Sequence, residues 1–101
     1  MHLVQIFLPL YDNAGRELPR ELFGEVRREL VQRFGGLTAF TRAPVSWLWE
    51  DEGQTVRDDL VIFEVMAEEL DPAWWAEYRA GLERRFRQEE LVVRAQEVRR
   101  L

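Results

Sequence analysis

Apolar residues occur along the chain in runs that predict alternating strands and helices. The run from His2 to Leu10 is rich in Val, Ile, Phe and Leu and predicts a first strand. A turn signal follows at Asp12-Asn13-Ala14-Gly15. Pro19 then opens a helix that ends at Gly35-Gly36, since helix C-termini favour a residue with positive φ. Its apolar residues share one stripe at helical spacing: Leu22, Phe23, Val26, Leu30 and Phe34.

The middle of the chain predicts two more strands and a hairpin. Leu37 to Arg42 predicts the second strand, which Pro44 breaks. Val45 to Glu50 is expected to resume pairing as one arm of a hairpin whose tip is Asp51-Glu52-Gly53. Thr55 to Met66 predicts a long third strand.

The last third of the chain predicts a second helix and a fourth strand. Asp71 is expected to cap the helix, and Pro72 takes its first position. Gln88 to Val98 predicts the fourth strand. The buried stripe of the helix is expected at Trp75, Tyr78, Leu82 and Phe86.

The order strand, helix, strand, strand, helix, strand predicts one α+β domain that spans residues 1–101. Two helices of this length can cover one face of a four-stranded antiparallel sheet, which is the ferredoxin-like β-α-β-β-α-β sandwich. In that topology the first and third strands are central. The fourth strand lies beside the first, and the second lies beside the third.

The composition narrows the classes of partner. The 101 residues carry a formal net charge of −5, with a pI near 4.9, which disfavours nucleic acid and anionic membranes because phosphate binding needs clustered cations. The chain has no Cys, and His2 is its single His, so we expect no metal and no cofactor. It has neither the ~20 apolar residues of a membrane span nor the features of a signal peptide. We therefore expect a cytoplasmic protein.

Each predicted strand divides into two sets, because successive strand residues point to opposite faces of the sheet. The first set is almost wholly apolar and is expected to pack under the helices: Val4, Ile6, Leu8, Leu37, Ala39, Val61, Phe63, Val65, Leu91 and Val93. The second set is mixed: Leu3, Gln5, Phe7, Thr38, Phe40, Arg42, Leu60, Ile62, Glu64, Met66, Val92, Arg94 and Gln96. A bare apolar patch of several hundred Å² is unusual on a monomer, so a second copy or a ligand is expected to cover the mixed face.

The polar members of the mixed face are the candidate functional residues. The strand order brings four of them near one another: Gln5, Arg42, Glu64 and Arg94. The aromatic residues expected beside them are Phe7, Phe40, Trp47 and Trp49. Three interpretations stay open, namely ion pairs inside a homodimer interface, an anionic small molecule held by Arg42 or Arg94, and a catalytic Glu64. Two neighbouring Arg favour an ionised carboxylate, which weighs against a general-base role for Glu64.

One motif resembles a group of small uncharacterised bacterial proteins of similar length. It is Phe34-Gly35-Gly36-Leu37-Thr38-Ala39-Phe40-Thr41-Arg42-Ala43-Pro44, followed by Trp49. The resemblance extends to Asp71-Pro72-Ala73-Trp74-Trp75 and Phe86-Arg87-Gln88-Glu89-Glu90. It implies a ferredoxin-like fold and no known activity, so no catalytic residue is carried over. The layout is also similar to the dimeric α+β barrel superfamily, which pairs two such sheets face to face and includes monooxygenases and isomerases. That similarity concerns the fold alone.

These observations predict a small homodimeric module with a binding or structural role and a small-molecule pocket on its mixed face. Two alternatives stay open. One is a cofactor-independent enzyme of the dimeric α+β barrel type, and the other is a sensor domain for an anionic metabolite. RNA recognition is disfavoured, because the glycine–aromatic signature expected on the third strand of an RNA-recognition fold is missing.

Overall fold

The chain folds into a four-stranded antiparallel sheet, two helices and a separate two-stranded hairpin. The computed structural model describes residues 1–40, 49–51, 54–56 and 60–101. In chain order the elements are β1 (His2–Pro9), α1 (Arg20–Phe34), β2 (Thr38–Phe40), β3 (Trp49–Asp51), β4 (Gln54–Val56), β5 (Leu60–Ala67), α2 (Pro72–Arg85) and β6 (Val93–Glu97).

The sheet order is β2-β5-β1-β6, and every pair of neighbours is antiparallel. The two eight-residue strands, β1 and β5, are therefore central, as predicted for the first and third strands. The short strands β2 and β6 form the edges. This order confirms the predicted ferredoxin-like α+β sandwich.

Helix α1 begins one residue later than predicted. Pro19 is its N-cap residue and makes no side-chain cap hydrogen bond. The helix ends as predicted at Gly35, which adopts the left-handed conformation with φ 83° and donates its N–H to Val31 O at 2.8 Å. A residue without a Cβ adopts this conformation at little cost, so the double glycine stops the helix at this point.

Helix α2 begins as predicted. The Trp74 backbone N–H donates to Asp71 Oδ1 at 3.2 Å, and Pro72 occupies the first turn, where its missing N–H is not needed. Trp75 and Leu82 are buried along the predicted stripe, and Phe86, just beyond the helix, is fully buried.

The hydrophobic core lies between the helices and one face of the sheet. All ten residues of the predicted helix-facing set are either buried in this core or packed against it. From α1 the core receives Val26 and Leu30, and from α2 it receives Trp75 and Leu82. The period-2 alternation therefore predicted correctly which face of the sheet the helices cover.

The ends of the later strands differ from the prediction. The expected strand from Thr55 to Met66 is two strands, β4 and β5, and residues 57–59 between them lie outside the described residues. A hairpin is present, since β3 pairs with β4 in the register Trp49↔Val56, although Asp51 lies in β3 and not at the tip. Residues 45–48 and 52–53 of the predicted hairpin lie outside the described residues. β6 starts at Val93 and not at Gln88, where the backbone N–H still donates to Glu83 O at 2.9 Å at the end of α2.

Candidate functional site

The face of the sheet that the helices leave bare, called the open face below, carries one continuous row of polar residues. Gln5 on β1 is paired with Glu64 on β5 and with Arg94 on β6, and Glu64 is paired with Thr38 on β2. Residues opposite one another on adjacent strands have neighbouring side chains. We call this set the polar row: Thr38, Glu64, Gln5 and Arg94.

Gln5 is the centre of the polar row. Its amide Nε2 donates to Glu64 Oε2 at 2.6 Å, and its Oε1 accepts from Arg94 Nε at 2.8 Å. The neutral amide therefore links a cation on one side to a carboxylate on the other. Gln5 and Glu64 are half-buried, where hydrogen bonds to charged groups are stronger than those between neutral groups.

Both charged residues of the polar row keep unused hydrogen-bonding capacity. Within the described part of the chain, neither Glu64 Oε1 nor the two Nη groups of Arg94 makes a hydrogen bond. A carboxylate oxygen accepts and a guanidinium N–H donates. The row can therefore offer one carboxylate oxygen as an acceptor and the N–H groups of two Nη atoms as donors to a molecule that lies on the open face.

Apolar residues flank the polar row on one side. Phe40 is paired with Ile62 and Ile62 with Phe7, and the Phe7 N–H donates to Val92 O at 3.0 Å. Phe7 is buried, and the Arg94 guanidinium carbon lies 4.9 Å from the centre of its ring. A guanidinium over an aromatic face is a favourable cation–π contact, and it holds Arg94 against the sheet.

Much of the remaining open face is exposed and apolar. Phe40 is 43% exposed, Val92 44% and Met66 51%. Met66 lies on the other side of the polar row, where it is paired with Leu3. Exposed apolar residues grouped on one face are typical of an interaction surface.

The structure brings together three of the four polar residues that the sequence singled out. Gln5, Glu64 and Arg94 are hydrogen-bonded, whereas Arg42 and Trp47 lie outside the described residues. Of Trp49 the structure describes the backbone alone. Of the remaining aromatic candidates, Phe7 and Phe40 flank the polar row as expected.

Sequence reasoning placed Thr38 on the mixed face but not in the candidate site. Its pairing with Glu64 puts it at the end of the polar row. The signal that could have found it is the register, because counting back from Phe40, which pairs with Ile62, leads directly to Thr38 opposite Glu64.

A second polar cluster joins the two helices on the other side of the molecule. Glu29 on α1 accepts from the Tyr78 hydroxyl at 2.8 Å and from both Nη groups of Arg85 at 2.9 and 3.1 Å. Partial burial raises the pKa of Glu29, but the hydrogen bonds from Arg85 and Tyr78 outweigh it, so this pKa lies below its ordinary value. The pKa of Tyr78 is raised, mainly because its hydroxyl is partly buried and also because that hydroxyl donates a hydrogen bond to Glu29.

Aromatic stacking continues this helix–helix contact. The Trp74 and Tyr78 rings stack with centres 4.8 Å apart, and the Arg33 guanidinium carbon lies 4.1 Å from the centre of the Trp74 ring. Glu29, Tyr78 and Arg85 are bonded to one another, so this cluster stabilises the packing of α1 against α2.

Within residues 1–40, 49–51, 54–56 and 60–101, neither a metal-ion cluster nor a membrane-spanning helix occurs. No three His, Asp or Glu side chains there lie close enough together to hold a metal ion. Neither helix in these ranges has the length and apolar content needed to cross a membrane.

Comparison with known proteins shows the fold and no more. No protein-family model matches the chain, and no curated protein matches it. The solved structure of a phage SAM lyase in complex with S-methyl-5'-thioadenosine is similar, with a TM-score of 0.58 and 20% sequence identity over 95% of this chain and 80% of that chain. At this identity the similarity supports the α+β fold alone. The resemblance of residues 34–44 to small bacterial proteins stays a prediction.

Proposed function

We propose that this chain is a homodimeric module that binds a small molecule at the polar row, with a second copy covering the open face. The observation that carries the proposal is the hydrogen-bonded series Arg94–Gln5–Glu64, which lies among exposed apolar residues. Burying that apolar surface stabilises association, and the polar row supplies the directional contacts that select a ligand.

Charge complementarity supports a second copy as the cover. Arg94 and Glu64 lie on the strands either side of β1. A twofold axis that runs along β1 between two facing sheets would place Glu64 of one copy opposite the partner's Arg94. Twofold dimers bury the same patch on both subunits. In this arrangement each charged residue lies opposite one of opposite charge.

The free groups of the polar row define the ligand class. Arg94 offers guanidinium N–H groups to an anionic group, and Glu64 Oε1 accepts from an amine, amide or hydroxyl. The apolar residues beside the row, Phe40 and Met66, suit a ligand with an apolar portion. The proposed ligand is thus a small molecule that carries an anionic group, a hydrogen-bond donor and an apolar part.

Binding is a better account of this site than general-base catalysis. The Gln5 amide donates to Glu64 Oε2 and accepts from Arg94, so the Glu64 carboxylate is held in a fixed orientation. A fixed polar group of this kind orients a bound ligand.

Ligand-induced thermal shifts test the binding site. The probes are phenylalanine, tryptophan and glutamate, each of which carries a carboxylate, an amine and an apolar part. S-methyl-5'-thioadenosine, the ligand named for the phage enzyme of similar fold, has no anionic group and serves as the contrast. We expect a concentration-dependent rise in melting temperature with at least one probe. Glu64→Gln and Arg94→Leu should abolish that rise. The matched controls Glu77→Gln and Arg27→Leu, at exposed helix positions, should retain it. Equal shifts in all four variants would contradict the proposal.

Light scattering tests the dimer. The wild-type chain should have the mass of two copies, and Met66→Asp should give the mass of one copy because it puts a charge in the interface. Val31→Asp is the control, since Val31 is 43% exposed but lies on α1, away from the open face. A monomeric wild-type chain would rule out the second copy without affecting the ligand test.

A further inference from the structure

Strand β6 forms an edge of the sheet, and half of its backbone groups point away from β1. The Phe7 N–H donates to Val92 O at 3.0 Å, and the Val98 N–H donates to Met1 O at 2.9 Å. Hydrogen-bonded positions alternate along an antiparallel pair, so the intervening residues direct their N–H and C=O groups outward. These residues are Val93, Ala95 and Glu97.

These outward groups are open to a partner. The exception lies just before the strand, where the outward N–H of Leu91 is already bonded to Glu83 Oε2 at 2.9 Å. β6 itself pairs with β1 alone, and within the described residues no hydrogen bond is formed by the outward groups of Val93 or Ala95. Unpaired strand groups of this kind accept an added strand.

A groove of about 240 Å³ runs beside these groups, between β6 and α2. Trp75, Ala76 and Arg79 line it from α2 at helical spacing, and Val93 and Ala95 line it from β6. An extended segment that paired with β6 would direct every second side chain into this space. The walls are mostly apolar, so they suit an apolar side chain.

Two arginines line the groove, Arg79 from α2 and Arg94 from β6. Arg94 is bonded to Gln5, whereas Arg79 is exposed and makes no hydrogen bond or ion pair with any residue that the structure describes. A carboxylate is therefore the complementary partner of Arg79. A second copy pairing through its own β6 about a twofold axis at Ala95 would bring the partner's Arg79 towards the same groove. Two like charges disfavour that arrangement.

We propose that this edge groove binds an extended peptide, which adds to β6 as a further strand of the sheet. The peptide places an acidic side chain against Arg79. An apolar side chain two positions away fills the space beside Trp75 and Ala76. The partner is therefore a protein segment with alternating apolar and acidic residues. Neither Arg79 nor the outward backbone groups of Val93 and Ala95 belong to the polar row.

Fluorescence anisotropy with a labelled heptapeptide, Thr-Val-Thr-Asp-Thr-Val-Thr, tests the proposal on the full chain. We expect saturable binding, and about tenfold weaker binding when Lys replaces the central Asp. Arg79→Glu should reverse this preference in favour of the Lys peptide. Arg84→Glu, at an exposed position on α2 outside the groove, should leave it unchanged.

Two changes test the backbone pairing. Ala95→Pro removes an outward N–H while leaving the bonds between β6 and β1 in place, so it should abolish binding. Should this variant fail to fold, the same peptide N-methylated at alternate residues tests the same bonds on the wild-type chain, and it should not bind.

Three outcomes would overturn the proposal. One is the absence of saturable binding, and another is binding that neither Arg79→Glu nor N-methylation weakens. The third is a mass doubling that Ala95→Pro abolishes and Met66→Asp does not, which would assign the edge to a second copy.

Discussion

Gln5 donates its side-chain amide to Glu64 at 2.6 Å, although 59 positions separate the two residues in the chain. The contact exists because β1 and β5 are neighbours in the sheet and their register sets these two residues opposite each other on the open face. A polar link in a largely apolar face stabilises the fold only while all its members are present.

Gln5→Met should therefore destabilise the protein. The change keeps the approximate size of the side chain but removes its bonds to both Glu64 and Arg94, so we expect the free energy of unfolding to fall by about 1–2 kcal/mol. Urea unfolding followed by tryptophan fluorescence measures this difference. Gln32→Met is the matched control, since Gln32 is exposed on α1. Equal losses in the two variants would show that the Gln5 bonds contribute nothing.

Tyr78→Phe removes one hydroxyl from the contact between the helices. The lost bond to Glu29 should lower the free energy of unfolding by about 1 kcal/mol at neutral pH. Tyr11→Phe serves as the control, because Tyr11 is 40% exposed and its hydroxyl makes no hydrogen bond with the described residues. The prediction fails if both variants unfold at the same urea concentration.

The lowered pKa of Glu29 predicts that the free energy of unfolding decreases as the pH becomes acidic. Its folded-state pKa lies below the ordinary value of 4.5, so its ionised form stabilises the fold above that pH, and this contribution is lost as the pH falls through the folded-state pKa. Because the side chain is 45% exposed, we expect the contribution to stay below about 1 kcal/mol. Urea unfolding should be measured between neutral and acid pH. The free energy of unfolding should decrease less in acid for Glu29→Gln than for the control Glu25→Gln. Parallel curves for the two variants would contradict this assignment.

Gly35 and Gly36 form a matched pair for testing the end of α1. Gly35 has φ +83°, whereas Gly36 has no such conformation, and a Cβ added to either would meet nothing within 4 Å. The stabilities of the two alanine variants should therefore differ only through the backbone strain at position 35. Gly35→Ala should cost about 1 kcal/mol, and Gly36→Ala should cost less or stabilise the protein. The melting temperatures of the two variants check this, and a reversed order would refute it.

Local signals in the sequence predicted most of the fold correctly. Asp71-Pro72 predicted the start of α2, Gly35 predicted the end of α1, and the alternation of Val4, Ile6 and Leu8 predicted the face under the helices. Each of these depends on a few adjacent residues, so it can be read without tertiary information. The start of β6 was placed too early, at Gln88, because the apolar pattern does not show that the Gln88 N–H stays bonded to Glu83 O at the end of α2.

The candidate site was predicted only in part for a similar reason. Hydrophobic alternation identified Gln5, Glu64 and Arg94 as polar residues on one face, but alternation does not state which residues lie opposite each other. Register does, and it is set by pairing across long stretches of chain. That is why Thr38 was not among the candidates.

The sequence alone determined the order of the elements, their caps and the division of each strand into two faces. Only the tertiary structure decided that Arg94, Gln5 and Glu64 form one hydrogen-bonded series and that Arg79 lies beside the unpaired edge of β6. The physical reason is the separation along the chain of the residues that decide each feature. Caps and periodicity arise from neighbours in the chain, whereas these two surfaces arise where distant segments pack together.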